Sequence, residues 1–138
     1  MDVDDDRCPC GSGERFVDCC GRYLLEGRRA PTAEALMRSR YTGFATHDRD
    51  YLLASWHPST RPDELELDEQ MIWRRLDVVA TDAGGPWDES GTVEFVAHYR
   101  VDDGTAIGKR GRLHETSRFV REDGRWLYVD GGFDALSG

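Results

Sequence analysis

Residues 91–101 have the sequence GTVEFVAHYRV, and this stretch decides the fold class of the main domain. Its odd positions from Val93 to Val101 are apolar or aromatic, whereas Glu94, His98 and Arg100 stand between them. Side chains alternate between the two faces of a strand, so this period of two predicts a strand with one buried face. We therefore expect His98 to lie on the outer face, at the surface.

The same period of two extends to both sides of this stretch. It predicts further strands over residues 73–80, 106–121 and 125–130. Asp-Gly pairs in two of the connections, at 102–104 and 122–124, are typical of hairpin turns. The second half of the chain is therefore expected to form an antiparallel meander.

Before the strands, the spacing of apolar residues changes to steps of three and four. This pattern predicts a helix over 33–46, and a shorter helix is expected over 48–55. Residues 64–70 could form one further helical turn. Helices followed by an antiparallel meander predict an α+β domain whose curved sheet wraps its helices. Trp73, Trp87 and Trp126 are expected to be core or rim aromatics of this domain.

All cysteines of the 138-residue chain lie in one short run near its N-terminus, and they are Cys8, Cys10, Cys19 and Cys20. Neighbouring cysteines rarely offer the geometry of a disulfide, whereas two close pairs across a short loop suit a tetrahedral ion. Thiolate sulfur favours zinc, with iron as the alternative metal. Disulfides or free thiols are the competing interpretation. Four cysteines would close the metal shell, so the predicted site is structural.

The spacing Cys-x-Cys, eight residues, Cys-Cys, with Gly-Ser-Gly after the second cysteine, resembles the SEC-C motif, which is named for the zinc-binding tail of the SecA translocation ATPase. Stretches at 31–41, 56–62 and 115–119 extend the resemblance to the YchJ-like family of small bacterial proteins. The resemblance implies an NTF2-like cone preceded by a small metal-binding knuckle, but no activity. Together with the break at 27–31, it divides the chain into an acidic tail plus SEC-C motif (1–27) and an NTF2-like domain (31–138).

A cone of this kind often encloses a pocket, so polar residues on its inner face are candidates for a site. Glu115 and Ser117 interrupt the apolar face of the third predicted strand. A carboxylate in a core must be paired or must change its protonation state. Glu115 is therefore a candidate acid or base if Trp56, His57 or Tyr99 lines the same pocket. In the alternative interpretation Glu115 accepts hydrogen bonds and holds the sheet in place.

The charge of the chain limits its partners. A net charge of −9 and a pI of about 4.8 disfavour general binding to nucleic acid or anionic membranes, so we expect neither sequence-specific DNA binding nor membrane attachment. The first six residues lack the basic and apolar regions of a signal peptide and are expected to form a solubilising tail. These features predict a cytoplasmic protein, where thiols stay reduced.

Two functional hypotheses follow. In the first, the protein is an adaptor rather than an enzyme, and its knuckle docks on a large partner such as the ribosome or the translocation and chaperone machinery, as the resemblance to SEC-C tails implies. The N-terminal module is locally basic and could suit ribosomal RNA, with Arg7, Arg15, Arg22, Arg28 and Arg29. In the second, the NTF2-like domain is a small-molecule binder or enzyme with a pocket around Glu115. The sequence leaves the oligomeric state open.

Overall fold

The computed structural model of the chain describes residues 7–102, 104–105 and 108–133. Within these residues, consecutive strands pair in antiparallel fashion to form one sheet. The strands, in chain order and in sheet order, are β1 (Met71–Ala83), β2 (Ser90–Val101), β3 (Lys109–Glu122) and β4 (Arg125–Phe133). The predicted meander is therefore confirmed.

The strand ends differ from the prediction in places. β1 is longer than predicted at both ends, and register shifts after Trp73 and Val78 mark irregularities in its pairing with β2. The predicted start of the third strand, at 106, lies outside the described residues. Between β3 and β4, Asp123 and Gly124 have φ values of 55° and 75°. Positive φ at both central residues is the requirement of a type I′ hairpin turn, so the Asp-Gly signal was correct here.

Three helices precede the sheet in the described part of the chain: α1 (Gly21–Leu24), α2 (Ala33–Ala45) and α3 (Arg49–Ala54). The hydroxyl of Thr32 accepts a hydrogen bond from the amide of Ala35 at 3.0 Å, which caps the start of α2. The carboxylate of Asp48 does the same for α3 through the amide of Tyr51 at 3.1 Å. The helices predicted over 33–46 and 48–55 are therefore confirmed. No helix in the described part of the chain is long and apolar enough to cross a membrane.

The helical turn predicted over 64–70 was wrong. The segment has no helix, and only residues 69–70 form a turn before β1. Leu65 and Leu67 are its partly buried apolar residues, and a spacing of two does not give a helix an apolar face. The side chain of Arg49 also donates a hydrogen bond to the carbonyl of Leu65 at 2.7 Å, which holds the segment against α3.

The core lies between α2 and one face of the sheet, because α2 packs against β1, β2 and β4. Trp126 is only 2% exposed, and its indole nitrogen donates to the carbonyl of Pro31 at 3.3 Å. Trp87 was expected in the core or at its rim, but it is 89% exposed in the connection between β1 and β2. Other buried residues of the core are Leu36, Met37, Tyr41, Leu76, Val93, Phe95, Ala97 and Phe119.

His98 lies on the face of β2 opposite to the core, as predicted, but it is not fully at the surface. Its side chain is 28% exposed, because Asp77 of the neighbouring strand covers it and binds Nε2 through a carboxylate oxygen at 2.9 Å. Sequence alternation identified the face correctly. It could not reveal the cross-strand partner, which depends on the register of β1.

Candidate functional site

The four cysteine sulfur atoms converge on one point in the structure. All of them lie within 4.8 Å of one another, and the Sγ atoms of Cys10 and Cys19 are 3.7 Å apart. None of the four forms a disulfide. Sulfur atoms bound tetrahedrally to one zinc ion at the usual bond length would be about 3.8 Å apart. Cys8, Cys10, Cys19 and Cys20 can therefore bind a metal ion as a set.

The local backbone brings the two pairs of cysteines together. Gly11 and Gly13 have φ values of 82° and 88°, which lets the chain turn sharply after Cys10. The amide of Cys8 donates to the carbonyl of Glu14 at 2.9 Å and closes this loop. The second pair follows a short 3-10 turn, and Cys20 is the N-cap residue directly before α1. A loop and a helix start thus present the four sulfurs to the same point.

Helix α2 supplies contacts to this cluster that the sequence did not suggest. Arg38 donates to the carbonyl of Cys10 at 3.0 Å, and the hydroxyl of Thr42 lies 3.6 Å from the sulfur of Cys8. These two residues are one helical turn apart, so the sequence could show that they share one face of α2. It could not show that this face contacts the cysteines. Arg22, one of the arginines of the locally basic N-terminal module, donates to the carbonyl of Cys19 at 3.0 Å.

The close approach of the sulfurs affects their ionisation. Hydrogen bonds from Cys10 and Cys20 lower the pKa of the Cys8 thiol to about 3. The same close contacts with Cys10 and Cys8 raise the pKa of Cys20 well above its ordinary value. Several thiolates this close repel one another, and a divalent cation among them is what would allow all four to ionise. The donor set therefore fits a metal ion.

The cysteine motif is part of the core of the protein. Cys8, Cys10 and Cys20 are at most 5% exposed, whereas Cys19 is partly exposed. Together with Tyr23 they join the same buried cluster as the residues of α2 and the sheet. The core therefore continues across the break expected at 27–31, and Ala30 in that break is itself buried. Substitution of one of these cysteines is therefore expected to disturb the packing of α2.

A cavity of about 230 Å³ lies between α2 and the sheet. Glu115 and Trp56 of the predicted pocket residues line this cavity, whereas His57 and Tyr99 are not among its lining residues. His57 instead bridges Ser59 and Glu122 through its two ring nitrogens, at 2.7 and 2.9 Å. The other lining residues are Met37, Arg40, Tyr41, Phe44, Trp73, Phe95, Ala97, Leu113, Ser117, Phe119 and Tyr128.

Tyr99 lies away from this cavity. Its ring packs edge-on against Trp73, with ring centroids 5.5 Å apart. It also covers the backbone of Gly111 on β3, where a side chain would collide with the ring. Tyr99 instead borders a groove that opens among arginines of β1, β2 and β3.

Arg40 is a buried cation in the wall of the cavity. It was not among the candidates that the sequence suggested. It is 5% exposed, and its Nη1 donates to the carbonyl of Leu52 at 2.8 Å and to the hydroxyl of Ser55 at 2.7 Å. Its guanidinium lies over the rings of Tyr128 and Trp56, at 4.3 and 5.0 Å from their centroids. Burial lowers its pKa to about 10, so it stays charged at neutral pH. The sequence signal for its burial is its spacing, because Arg40 lies three and four residues from apolar positions on the buried face of α2.

Glu115 is the acid in the same cavity. It is 8% exposed and accepts a hydrogen bond from the hydroxyl of Ser117 at 2.5 Å. Burial raises the pKa of this carboxyl, and the bond from Ser117 and the charge of Arg40 oppose the rise without cancelling it. Among the described residues, the buried indole nitrogen of Trp56 has no hydrogen-bond acceptor. The cavity thus offers a cation, a carboxyl and a spare donor within an apolar wall.

The comparisons with known proteins agree with this architecture. Residues 32–131 match the family described as YchJ, middle NTF2-like domain, and residues 6–22 match the SEC-C motif. A UPF0225 protein of Chromobacterium violaceum is 56% identical over 128 residues, which cover 90% of each chain. A UPF0225 protein of Streptomyces coelicolor is 49% identical over 91% of this chain and 94% of its own length.

Solved structures give the same result for the fold. The solution structure of a SEC-C motif containing protein from Rhodopseudomonas palustris is 37% identical, with a TM-score of 0.77, over 91% of this chain and 96% of that one. The crystal structure of a SEC-C motif containing protein from Psychrobacter arcticus is 28% identical, with a TM-score of 0.69, over 89% of this chain and 80% of that one. The chain therefore belongs to the YchJ-like UPF0225 family, in which a SEC-C motif precedes an NTF2-like domain.

Proposed function

We propose that this protein is a zinc-binding adaptor that docks on a large partner, such as the ribosome or the translocation and chaperone machinery. The observation that carries the proposal is the convergence of four cysteine sulfurs within 4.8 Å at a buried point beside α2. A closed shell of four thiolates leaves no position for a substrate, so the ion shapes the protein rather than catalysing a reaction. Zinc is preferred because this ligand set is a usual one for structural zinc, and iron is the alternative.

The surface around the motif supports a docking role. Val17 and Leu25 flank the second pair of cysteines and are 47% and 69% exposed. Arg15, two residues before Val17 in the sequence, is also exposed. Apolar side chains held on a small rigid surface with cations around them are suited to anchoring a partner. In this proposal the ion fixes the shape of the knuckle, the partner contacts its exposed face, and the protein acts in the cytoplasm, where thiols stay reduced.

Sedimentation of native lysate through a sucrose cushion tests the adaptor role. We expect the wild-type protein to travel with ribosomes and a Cys19→Ser/Cys20→Ser variant to stay in the supernatant. Because the cysteines share the core, this variant can lose its fold. A Val17→Ser/Leu25→Ser variant, which leaves all four ligands in place, should also stay in the supernatant. A wild-type protein that never sediments would contradict ribosome docking, and so would a Val17→Ser/Leu25→Ser variant that sediments like the wild type.

The cavity favours a second candidate function, the binding of a small molecule. In the cone that we infer for the sheet and its helices, the inner space is 230 Å³ and has an apolar wall. Arg40 supplies a positive charge there, and the indole nitrogen of Trp56 supplies a donor with no acceptor among the described residues. A small aromatic ligand with one anionic group would suit these features. Glu115 would then set the protonation state of the site.

Thermal unfolding with benzoate and with uncharged benzyl alcohol tests the second candidate. We expect benzoate to raise the melting temperature in a saturable way and benzyl alcohol to have a smaller effect, since only benzoate can interact with Arg40 as an anion. An Ala97→Leu variant, which fills part of the cavity wall, should lose this response. An equal response of the wild type and Ala97→Leu would rule out the cavity as the binding site.

A further inference from the structure

A cluster of cations lies around one end of the sheet, where β1 begins and β2 ends. The strand pairing places Arg75 opposite His98, His98 opposite Arg112, and Arg100 opposite Arg110. We call these five residues, together with Arg74 beside them on β1, the cationic cluster. Five of the six, all except Arg112, line a groove of about 340 Å³.

Within the described residues, the charge of this cluster is only partly balanced by carboxylates. Among the described carboxylates, only that of Asp77 binds the cluster, and Arg75 and His98 share it at 3.0 and 2.9 Å. The other four, Arg74, Arg100, Arg110 and Arg112, have no hydrogen bond or ion pair with any residue that the structure describes. Like charges directly opposite each other on paired strands destabilise a sheet. The chain therefore maintains an unfavourable arrangement here, although it has a net charge of −9 and many carboxylates.

The rest of the same outer face shows the contrast. Farther along the same strands, His114 binds the carboxylate of Glu94 at 2.7 Å. Arg118 of β3 is held by both oxygens of Asp130 at 2.6 Å. Cations on this face are thus normally matched with acids from the neighbouring strand. On the described part of this face, the cations without such a match belong to the cationic cluster, which suggests a ligand rather than chance composition.

Arg100 gives an independent indication that the groove receives an anion. Its Nε atom is buried and has no acceptor among the described residues. A buried donor without an acceptor lowers stability, because it has lost water and gained nothing in exchange. An oxygen atom of a ligand in the groove that Arg100 lines would supply the missing acceptor. Gly111 makes room for the ring of Tyr99 in the wall of the groove, since a side chain at this position would collide with that ring.

We propose that the cationic cluster is a binding site for a phosphate-bearing ligand. Guanidinium groups donate in a planar fork that matches phosphate oxygens, and a phosphate has enough oxygens to engage several such groups at once. The net negative charge of the chain does not prevent this, because salt screens charges beyond about 8 Å at physiological ionic strength. The phosphate can belong to a free nucleotide or to the backbone of RNA. The site does not depend on the adaptor proposal, since none of its residues lies in the cysteine motif.

Fluorescence anisotropy tests this site directly, with a fluorescein-labelled single-stranded RNA oligonucleotide and with unlabelled pyrophosphate and ATP as competitors. We expect saturable binding at low salt that Arg110→Ala weakens about tenfold or more, as the loss of a direct phosphate contact should. Arg118→Ala is the matched control, because it makes the same charge change on the same strand about 26 Å away. It should change the affinity less than about twofold. Arg110→Lys, which keeps the charge but loses the fork, should fall between these two variants.

The competitors identify the source of the phosphate. Displacement of the RNA by pyrophosphate or ATP, dependent on Arg110, supports a site for a compact anion. RNA binding that depends on Arg110 and resists both competitors supports contact with a nucleic-acid backbone. Circular dichroism melts should confirm that each variant is folded. The proposal is overturned if no probe binds the wild-type protein, or if Arg118→Ala weakens binding as much as Arg110→Ala does.

Discussion

Replacing Cys10 by serine is expected to lower the melting temperature of the protein by roughly 10 °C or more. Cys10 is fully buried, and its sulfur lies 3.7 Å from that of Cys19. Metal binding supplies on the order of 10 kcal/mol to the folding of small zinc domains, and a site that lost one thiolate would lose part of this. Because the cysteines share the core with α2, the loss should reach the whole domain rather than the N-terminal motif alone.

Differential scanning calorimetry of the wild type, of Cys10→Ser and of the wild type with a chelator measures this effect. Ser12→Ala is a suitable control, because its hydroxyl lies 3.1 Å from the sulfur of Cys19 but is not a metal ligand. We expect this control to melt close to the wild type, and the chelator to reproduce most of the Cys10→Ser shift. A melting temperature that neither the chelator nor Cys10→Ser changes would show that no ion stabilises the fold.

Replacing Arg40 by alanine is expected to lower the free energy of unfolding by about 3–5 kcal/mol. The change removes hydrogen bonds to Leu52 and Ser55 and the stacking on two aromatic rings. It also leaves the carboxyl of Glu115 without the nearby positive charge that opposes the rise of its pKa. Arg49 offers a control, since it is an exposed arginine with one hydrogen bond to a backbone carbonyl.

Urea unfolding of both variants measures the difference. Arg49→Ala should cost no more than about 1 kcal/mol, as expected for an exposed position. A double variant, Arg40→Met/Glu115→Gln, should lose less than the sum of Arg40→Met and Glu115→Gln, because the charge of Arg40 acts on the carboxyl of Glu115 and the double variant removes both charges. If Arg40→Ala and Arg49→Ala were equally stable, the buried guanidinium would have no special part in the fold.

The parts of this fold that the sequence predicted are those that depend on local patterns. The alternation over 91–101 predicted β2 and its buried face, and the apolar spacing predicted α2 to within a residue of its end. The cysteine spacing predicted a cluster because metal ligands in small motifs lie close together along the chain. The helical turn expected over 64–70 was wrong, because the partly buried Leu65 and Leu67 are spaced by two residues and would not give a helix an apolar face.

The features that the sequence did not reveal depend on contacts between distant residues. Arg38 and Thr42 reach the cysteines only because α2 packs against the motif. Arg74 and Arg110 look like solvated strand ends in the sequence, and they are brought to one groove by the pairing of three strands. His57 and its neighbour Trp56 were both candidates for the pocket, but only Trp56 lines the cavity, whereas His57 binds Glu122. Register and helix packing therefore decide the composition of both candidate sites.

The metal content of the purified protein tests the central claim, which is that four cysteines hold one zinc ion. The protein would be expressed without an affinity tag in medium that contains both zinc and iron, purified under reducing conditions and measured by inductively coupled plasma mass spectrometry. We expect one zinc per chain for the wild type and the loss of most of it in Cys10→Ser. A folded wild-type protein with no bound metal would contradict the claim. One iron per chain would show that the cysteines bind the alternative ion, iron, in place of zinc.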